Sequence, residues 1–313
     1  MRPADLGSNP SAPTSAQTSN PSRNCFPEKL YLDAHCTDVD KNLLPIWVWL
    51  FGFVMISTGE NGSGPNGGDT FLILGLMILA LGWLVGAWVT YQLSDTTGES
   101  PISIEYVVPE KSSRLLALCS IPLIPLIGYL KMLFLLPHII ILFFFGLAFF
   151  LLSIIGVLCS LFGTYPEFIR NFLWNVAKWR WRVTAYYLCL CDPYPPLTTA
   201  SENYPTEIRV DNREGNSRST LLTLYGTIFQ CKIILLLPHY IIIIFYAILA
   251  AIASFLGPIV VLLLGRYPES WMGFIVKVRQ QRSRISAYAI CLTEVFPPFI
   301  PGDGLDAGPA NSS

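Results

Sequence analysis

IIILFFFGLAFFLLSIIGVLCSLF, residues 139–162, is 24 positions without a charged side chain, and its reading decides the fold. A helix of about 20 apolar residues crosses the ~30 Å hydrocarbon core of a bilayer. A second run of the same length, residues 241–264 (IIIIFYAILAAIASFLGPIVVLLL), is equally uncharged. Helices buried in a globular core are shorter than this, so each run predicts a membrane helix. Upstream, Phe71–Tyr91 predicts a further span, and residues 43–57 (LLPIWVWLFGFVMIS) a shorter apolar helix. Between these two lies TGENGSGPNGGD, residues 58–69, rich in turn formers and free of Lys and Arg. Residues 43–92 therefore read as a transmembrane hairpin, with Trp47, Trp49, Trp83, Trp88 and Tyr91 as interfacial anchors.

Composition agrees with a membrane class. Of 313 residues, 52% are apolar and only 13% charged, and mean hydropathy is +0.50; soluble chains carry about 25% charge. A net charge of −1 argues against nucleic acid as a partner. The eight cysteines show neither a C-x-x-C pair nor zinc spacing, and most sit in or beside apolar segments, where thiols pack as small hydrophobes. Cys189–Leu190–Cys191 reads as packing, because its counterpart is Cys291–Leu292–Thr293. Residues 1–42, opening on a Ser/Pro/Asn-rich stretch without an apolar signal core, and residues 300–313 read as disordered tails.

The remainder is an internal duplication. Tyr165–Pro166 recurs as Tyr267–Pro268, Arg180-x-Arg182-x-x-Ala185–Tyr186 as Arg282-x-Arg284-x-x-Ala287–Tyr288, and Pro195–Pro196 as Pro297–Pro298, all at an offset of 102. Upstream, Pro137–His138 matches Pro238–His239. Repeat 1 thus covers residues 102–197 and repeat 2 residues 206–299. Each opens on a brief alternating segment, Ile102–Val108 or Thr206–Val210, that predicts a short strand. A long apolar stretch follows, interrupted by Lys131 or Lys232; these charges belong near a turn or interface, since mid-bilayer they would cost at least ~2.5–3.5 kcal/mol.

A basic helix closes each repeat. Phe172, Val176, Val183 and Leu190 share one face, as do Phe274, Val278, Ile285 and Leu292. Arg180 and Arg182, like Arg282 and Arg284, project about 80° to either side of that stripe. Trp174, Trp179, Trp181, Tyr186 and Tyr187 crowd the first copy. This geometry favours an amphipathic helix lying in the headgroup layer; the alternative is a helix packed on its own module. One membrane crossing per repeat would put the two basic helices on opposite sides. The positive-inside rule favours two crossings or a re-entrant hairpin, with tails and basic helices cytoplasmic and residues 58–69 outside.

The repeated Pro–His, the Gly-x-Tyr-Pro turn, the Arg-x-x-Ala-Tyr helix and the Tyr/Phe-Pro-Pro exit together resemble the bacterial domain-of-unknown-function family 4389. The motifs are Tyr165–Pro166, Arg182–Tyr186 and Tyr194–Pro196 in one copy, and Tyr267–Pro268, Arg284–Tyr288 and Phe296–Pro298 in the other. The resemblance implies a membrane location, here a bacterial inner membrane, and tandem copies. It carries over no activity.

The predicted fold is an all-α integral membrane protein: a helical hairpin followed by two membrane modules, each with apolar spanning or re-entrant helices and a basic amphipathic helix. No H-E-x-x-H, G-x-S-x-G or paired intramembrane aspartates occur, so no enzyme, catalytic residue, metal or cofactor is expected. The expected function is non-enzymatic binding of anionic lipids or of a membrane-protein partner, possible partners including a second copy of the chain. Candidate contacts are Lys178, Arg180, Arg182, Lys277, Arg279, Arg282 and Arg284. The alternative is a subunit of a small-solute or ion transporter or channel. Pro137, His138, Tyr165, Pro166, Tyr186 and their counterparts Pro238, His239, Tyr267, Pro268 and Tyr288 read as structural positions; each histidine marks the start of an apolar helix.

Overall fold

The computed structural model describes residues 44–60, 67–98, 100–121, 129–198, 204–211 and 215–301. Both tails expected to be disordered lie outside these residues, apart from Ile300 and Pro301. Helices α1 (Leu44–Glu60) and α2 (Gly67–Leu93) form the expected hairpin, with α1 running past Ser57. They meet through small residues: added Cβ atoms at Gly52, Gly75 and Gly82 would strike Leu79, Ile56 and Trp49. Where lipid replaces water, close approach of backbones is the main route to helix pairing. The hairpin leans on repeat 2, where Trp49 meets Phe229 edge-on and Gly86 faces Cys231.

Repeat 1 consists of β1 (Ile102–Tyr106), α3 (Arg114–Leu118), α4 (Leu130–Phe134), α5 (Leu136–Ser160) and α6 (Glu167–Tyr187). Repeat 2 consists of β2 (Thr206–Val210), α7 (Thr220–Thr223), a π turn at Leu224–Ile228, α8 (Cys231–Leu264) and α9 (Glu269–Ala289). Among the described residues three helices are long and apolar enough to cross a membrane: α2, α5 and α8. The two short strands correct an all-α description, at the positions where alternation predicted them. In repeat 2 the apolar stretch does not divide into two spans. Cys231–Leu237 forms the first turns of α8, which continues through Pro238 and Pro258.

The chain returns along the apolar helix. Gly265, at φ +73°, caps α8, and Gly163, at φ +80°, turns the chain three residues past α5, both in the left-handed conformation that glycine tolerates best. Pro166 and Pro268 then precede α6 and α9, each with a glutamate in its first turn, where the helix dipole favours negative charge. Tyr165 lies over Gly156, Phe145 meets Phe172 and Trp179, and His138 meets Trp179. As the α5 number rises the α6 number falls, so the pair is antiparallel. Tyr267 on Gly257 and Tyr246 against Phe274 repeat this in α8 and α9.

The two repeats are intertwined. β1 and β2 pair antiparallel with Ile104 opposite Ile208, and each occupies the same place in its own repeat, so a pseudo-twofold axis passes between them. The ends of the repeats are exchanged. Tyr165 N donates to Asn216 O and Arg218 N to Gly163 O, at the glycine turn of repeat 1. Ser112 N donates to Gly265 O, at the turn of repeat 2. Ser113 and Ser219 cap α3 and α7, while their own N–H groups donate to Asp192 and Glu294.

Candidate functional site

Two residues apart on a helix are about 200° apart around it, so the arginines of each Arg-x-Arg pair must face different surroundings. Arg182 turns inward and is fully buried; its Nη2 lies 2.7 Å from Glu207 on β2, and its Nη1 donates to Thr198 O at 3.2 Å. Arg284 is also buried, and its Nε donates to Ile102 O on β1 at 3.3 Å. Each therefore ties one repeat to the strand of the other. This corrects their reading as headgroup contacts, because neither reaches the surface. The apolar stripe of each basic helix is likewise turned to the protein. Val176, Val183, Leu190, Val278, Ile285 and Leu292 are buried, as are Trp174, Trp179, Trp181 and Tyr186. Within the described residues, α6 and α9 are packed on their own modules.

Arg180 and Arg282 occupy equivalent, exposed positions, and with Arg279 they border a cavity of about 560 Å³ between the repeats. Its wall comes from α5 (Ile139, Leu142, Phe143, Gly146), from α6 (Ala177), and from Ile208 on β2. Among the described residues no Asp or Glu lines it. Ser283 and Ser286 do, but their hydroxyls donate to Arg279 O and Arg282 O. The guanidinium of Arg279 lies 5.7 Å from the ring centroid of Trp181, and its Nε is shut off from solvent without a hydrogen-bond partner. Burial, and then the charges of Arg180 and Arg282, pull the pKa of Arg279 down to about 10. At pH 7 it remains cationic, beside two like charges. Of the other candidate contacts, Lys178 is half-buried and Lys277 exposed; neither lines the cavity.

The repeat-paired positions act as pins. His239 bonds through Nε2 to Pro297 O at 2.9 Å and stacks on Phe299. His138 Nδ1 accepts from Trp179 Nε1 at 3.1 Å, and its ring meets Tyr194. Both join the apolar helix to the Pro–Pro exit of the same repeat, His138 from the first turn of α5 and His239 from the third turn of α8, which corrects the reading of His239 as the start of its helix. Pro137 falls in the first turn of α5, where it lacks no needed donor, whereas Pro238 lies within α8. Tyr186 and Tyr288 receive Lys131 and Lys232, whose ammonium groups sit 4.4 and 4.5 Å from the ring centroids. Each ammonium also lies 3.2 Å from a thiol, Cys189 or Cys291. Lys232 further donates to Tyr288 O, at the end of α9 where the dipole favours a cation. The interrupting lysines thus lie at helix ends, and Cys189 does more than fill space. Among the described residues no group of three His, Cys, Asp or Glu could hold a metal.

Sequence inspection missed the asymmetry of the cavity. At the repeat offset Ala177 stands where repeat 2 has Arg279, and both line the same space. Setting the two copies side by side was the available signal.

The family model described as "Domain of unknown function (DUF4389)" matches the chain twice, over residues 129–199 and 229–300. No curated protein and no solved structure matches it.

Proposed function

With two tandem copies of the DUF4389 domain in the chain, we propose that the protein is a non-enzymatic, multi-pass membrane component that gathers anionic lipid, with its tails and basic helices cytoplasmic. The supporting observation is the pairing of a lipid-facing apolar shell with exposed arginines. Phe143, Phe144, Leu147 and Phe150 on α5, and Ile241, Ile244, Phe245 and Ile248 on α8, are all more than half exposed, a surface that water would disfavour by about 25 cal/mol per Å². Because α6 returns along α5 and α9 along α8, each repeat enters and leaves at one level. That supports a re-entrant course for each repeat, with α5 or α8 as its apolar limb and both basic helices kept on one side, as positive charge prefers.

Each basic residue near an anionic surface contributes up to about 1 kcal/mol, screened by salt. The full chain, reconstituted in mixed phosphatidylglycerol and phosphatidylcholine bilayers and re-extracted with its surrounding lipid, should carry phosphatidylglycerol several-fold above its bulk share. Arg180→Gln with Arg282→Gln, or added salt, should remove most of that enrichment. Extracted lipid of bulk composition would refute the reading.

A further inference from the structure

We propose that the cavity between the repeats is a discrete site for one anionic phospholipid, its phosphate held by Arg180, Arg279 and Arg282 and an acyl chain lying against α5. The proposal rests on the membrane reading above and adds a defined site with a stoichiometry.

Three observations carry it. First, three guanidiniums converge without a carboxylate among the lining residues, and the Nε of Arg279 is buried with no partner. A buried, unpaired donor is costly to leave unmade, and like charges held together repel one another. Both costs are relieved by one group, a phosphate, which arginine recognises through paired N–H donors. Second, the remaining wall is apolar, with Ile139, Leu142, Phe143 and Gly146 on one side and Ile208 on the other. Phosphate alone would leave that space unused. The volume of about 560 Å³ lies within the ~300–1,000 Å³ common for small-molecule sites. Third, the cavity is continuous with the lipid-facing surface, since Phe143 lines it and is 71% exposed. A chain can therefore enter sideways from the bilayer.

The site exists once per molecule. Arg180 comes from repeat 1, Arg279 and Arg282 from repeat 2, and the counterpart of Arg279 is Ala177. A second arginine at that position would add charge and fill the space. Duplication followed by this one divergence turns two equivalent helices into a single composite pocket.

The test uses the full chain in neutral detergent, stripped of lipid. Dioleoyl phosphatidate, dioleoyl phosphatidylcholine and inorganic phosphate are titrated separately, with native mass spectrometry giving stoichiometry and thermal melting giving stabilisation. Wild type should take up one phosphatidate per chain, at least about tenfold more tightly than phosphatidylcholine. Arg279→Gln should lose at least about tenfold in affinity while melting no lower than wild type without lipid, because relief of the repulsion from Arg180 and Arg282 offsets the lost contact with the Trp181 ring. Gly146→Phe should weaken binding similarly by filling the cavity. A Cβ at Gly146 meets nothing within 4 Å, so the added side chain starts in open space, and a cooperative melt without lipid checks that the variant is folded. Lys111→Gln, at an exposed position away from the cavity, should bind as wild type.

Wild-type binding by both Arg279→Gln and Gly146→Phe would overturn the proposal. So would inorganic phosphate binding as tightly as phosphatidate and indifferent to Gly146→Phe, which would identify a site for the free anion. If anionic enrichment in bilayers still depends on Arg180 and Arg282 in either case, the proposed function stands without this site. If enrichment is absent too, both fail together.

Discussion

Arg180 and Arg182 are two residues apart and have opposite consequences. Arg182 is fully buried against Glu207, whose side chain remains 22% exposed. Removing one partner of a wholly buried pair costs about 3–5 kcal/mol; with Glu207 still in contact with water, Arg182→Gln should cost about 2–3 kcal/mol. Arg180→Gln removes an exposed charge and should change stability by less than about 0.5 kcal/mol. Denaturant unfolding in detergent, followed by the tryptophans near α6, separates the two. Equal losses would mean that Arg182 does not tie the repeats together. The ribbon makes the point from the other side. Glu105 lies opposite Glu207 in the register, an unfavourable like-charge pair. Arg209 at 2.6 Å from Glu105, and Arg182 at 2.7 Å from Glu207, offset it.

The recurring element is an antiparallel pair in which an apolar helix is closed by a basic one across a Gly-x-Tyr-Pro turn. Its tightest point is the tyrosine ring lying over a glycine in the last turns of the apolar helix, Tyr165 on Gly156 and Tyr267 on Gly257. An added methyl at either glycine would strike the ring, which packing prevents from moving freely. Overpacking of this kind costs about 1–3 kcal/mol. Gly156→Ala and Gly257→Ala should each destabilise by that amount, whereas Gly146→Ala, with open space around it, should stabilise α5 slightly by helix propensity. Melting temperatures of the three variants in one detergent decide the matter; a silent Gly257→Ala would show that the turn does not depend on close approach.

At the scale of the whole molecule, neither repeat is complete. Each lends a strand and a capped arm to the other, and a two-stranded ribbon has little stability alone. Residues 102–197 expressed without the rest should therefore fail to give a folded monomer, and should either aggregate or pair with a second copy. Residues 1–199 and 200–313, co-expressed as separate chains, should co-purify. A monomeric, cooperatively melting single repeat in size-exclusion chromatography would refute this dependence. The same intertwining builds the cavity, because its walls belong to both copies.

Hydropathy, period and self-similarity in the sequence determined the apolar helices, the hairpin, the two repeats, the short strands and the turn between each apolar and basic helix. These are local properties: an uncharged run of 24 residues, a glycine before Tyr-Pro, or a repeated motif can be read without knowing what lies nearby. The sequence also determined that the paired arginines diverge, since the helical angle requires it. Only the tertiary structure decided which of them faces inward. An amphipathic stripe looks the same whether it meets lipid or its own module, and here α5, α8 and the exchanged strands cover it. The lysines beside Cys189 and Cys291, the union of Arg180 with Arg279 and Arg282, and the cavity they border all depend on packing between segments roughly sixty to a hundred residues apart. Chain distance conceals such neighbours, and the pseudo-twofold fold brings them together.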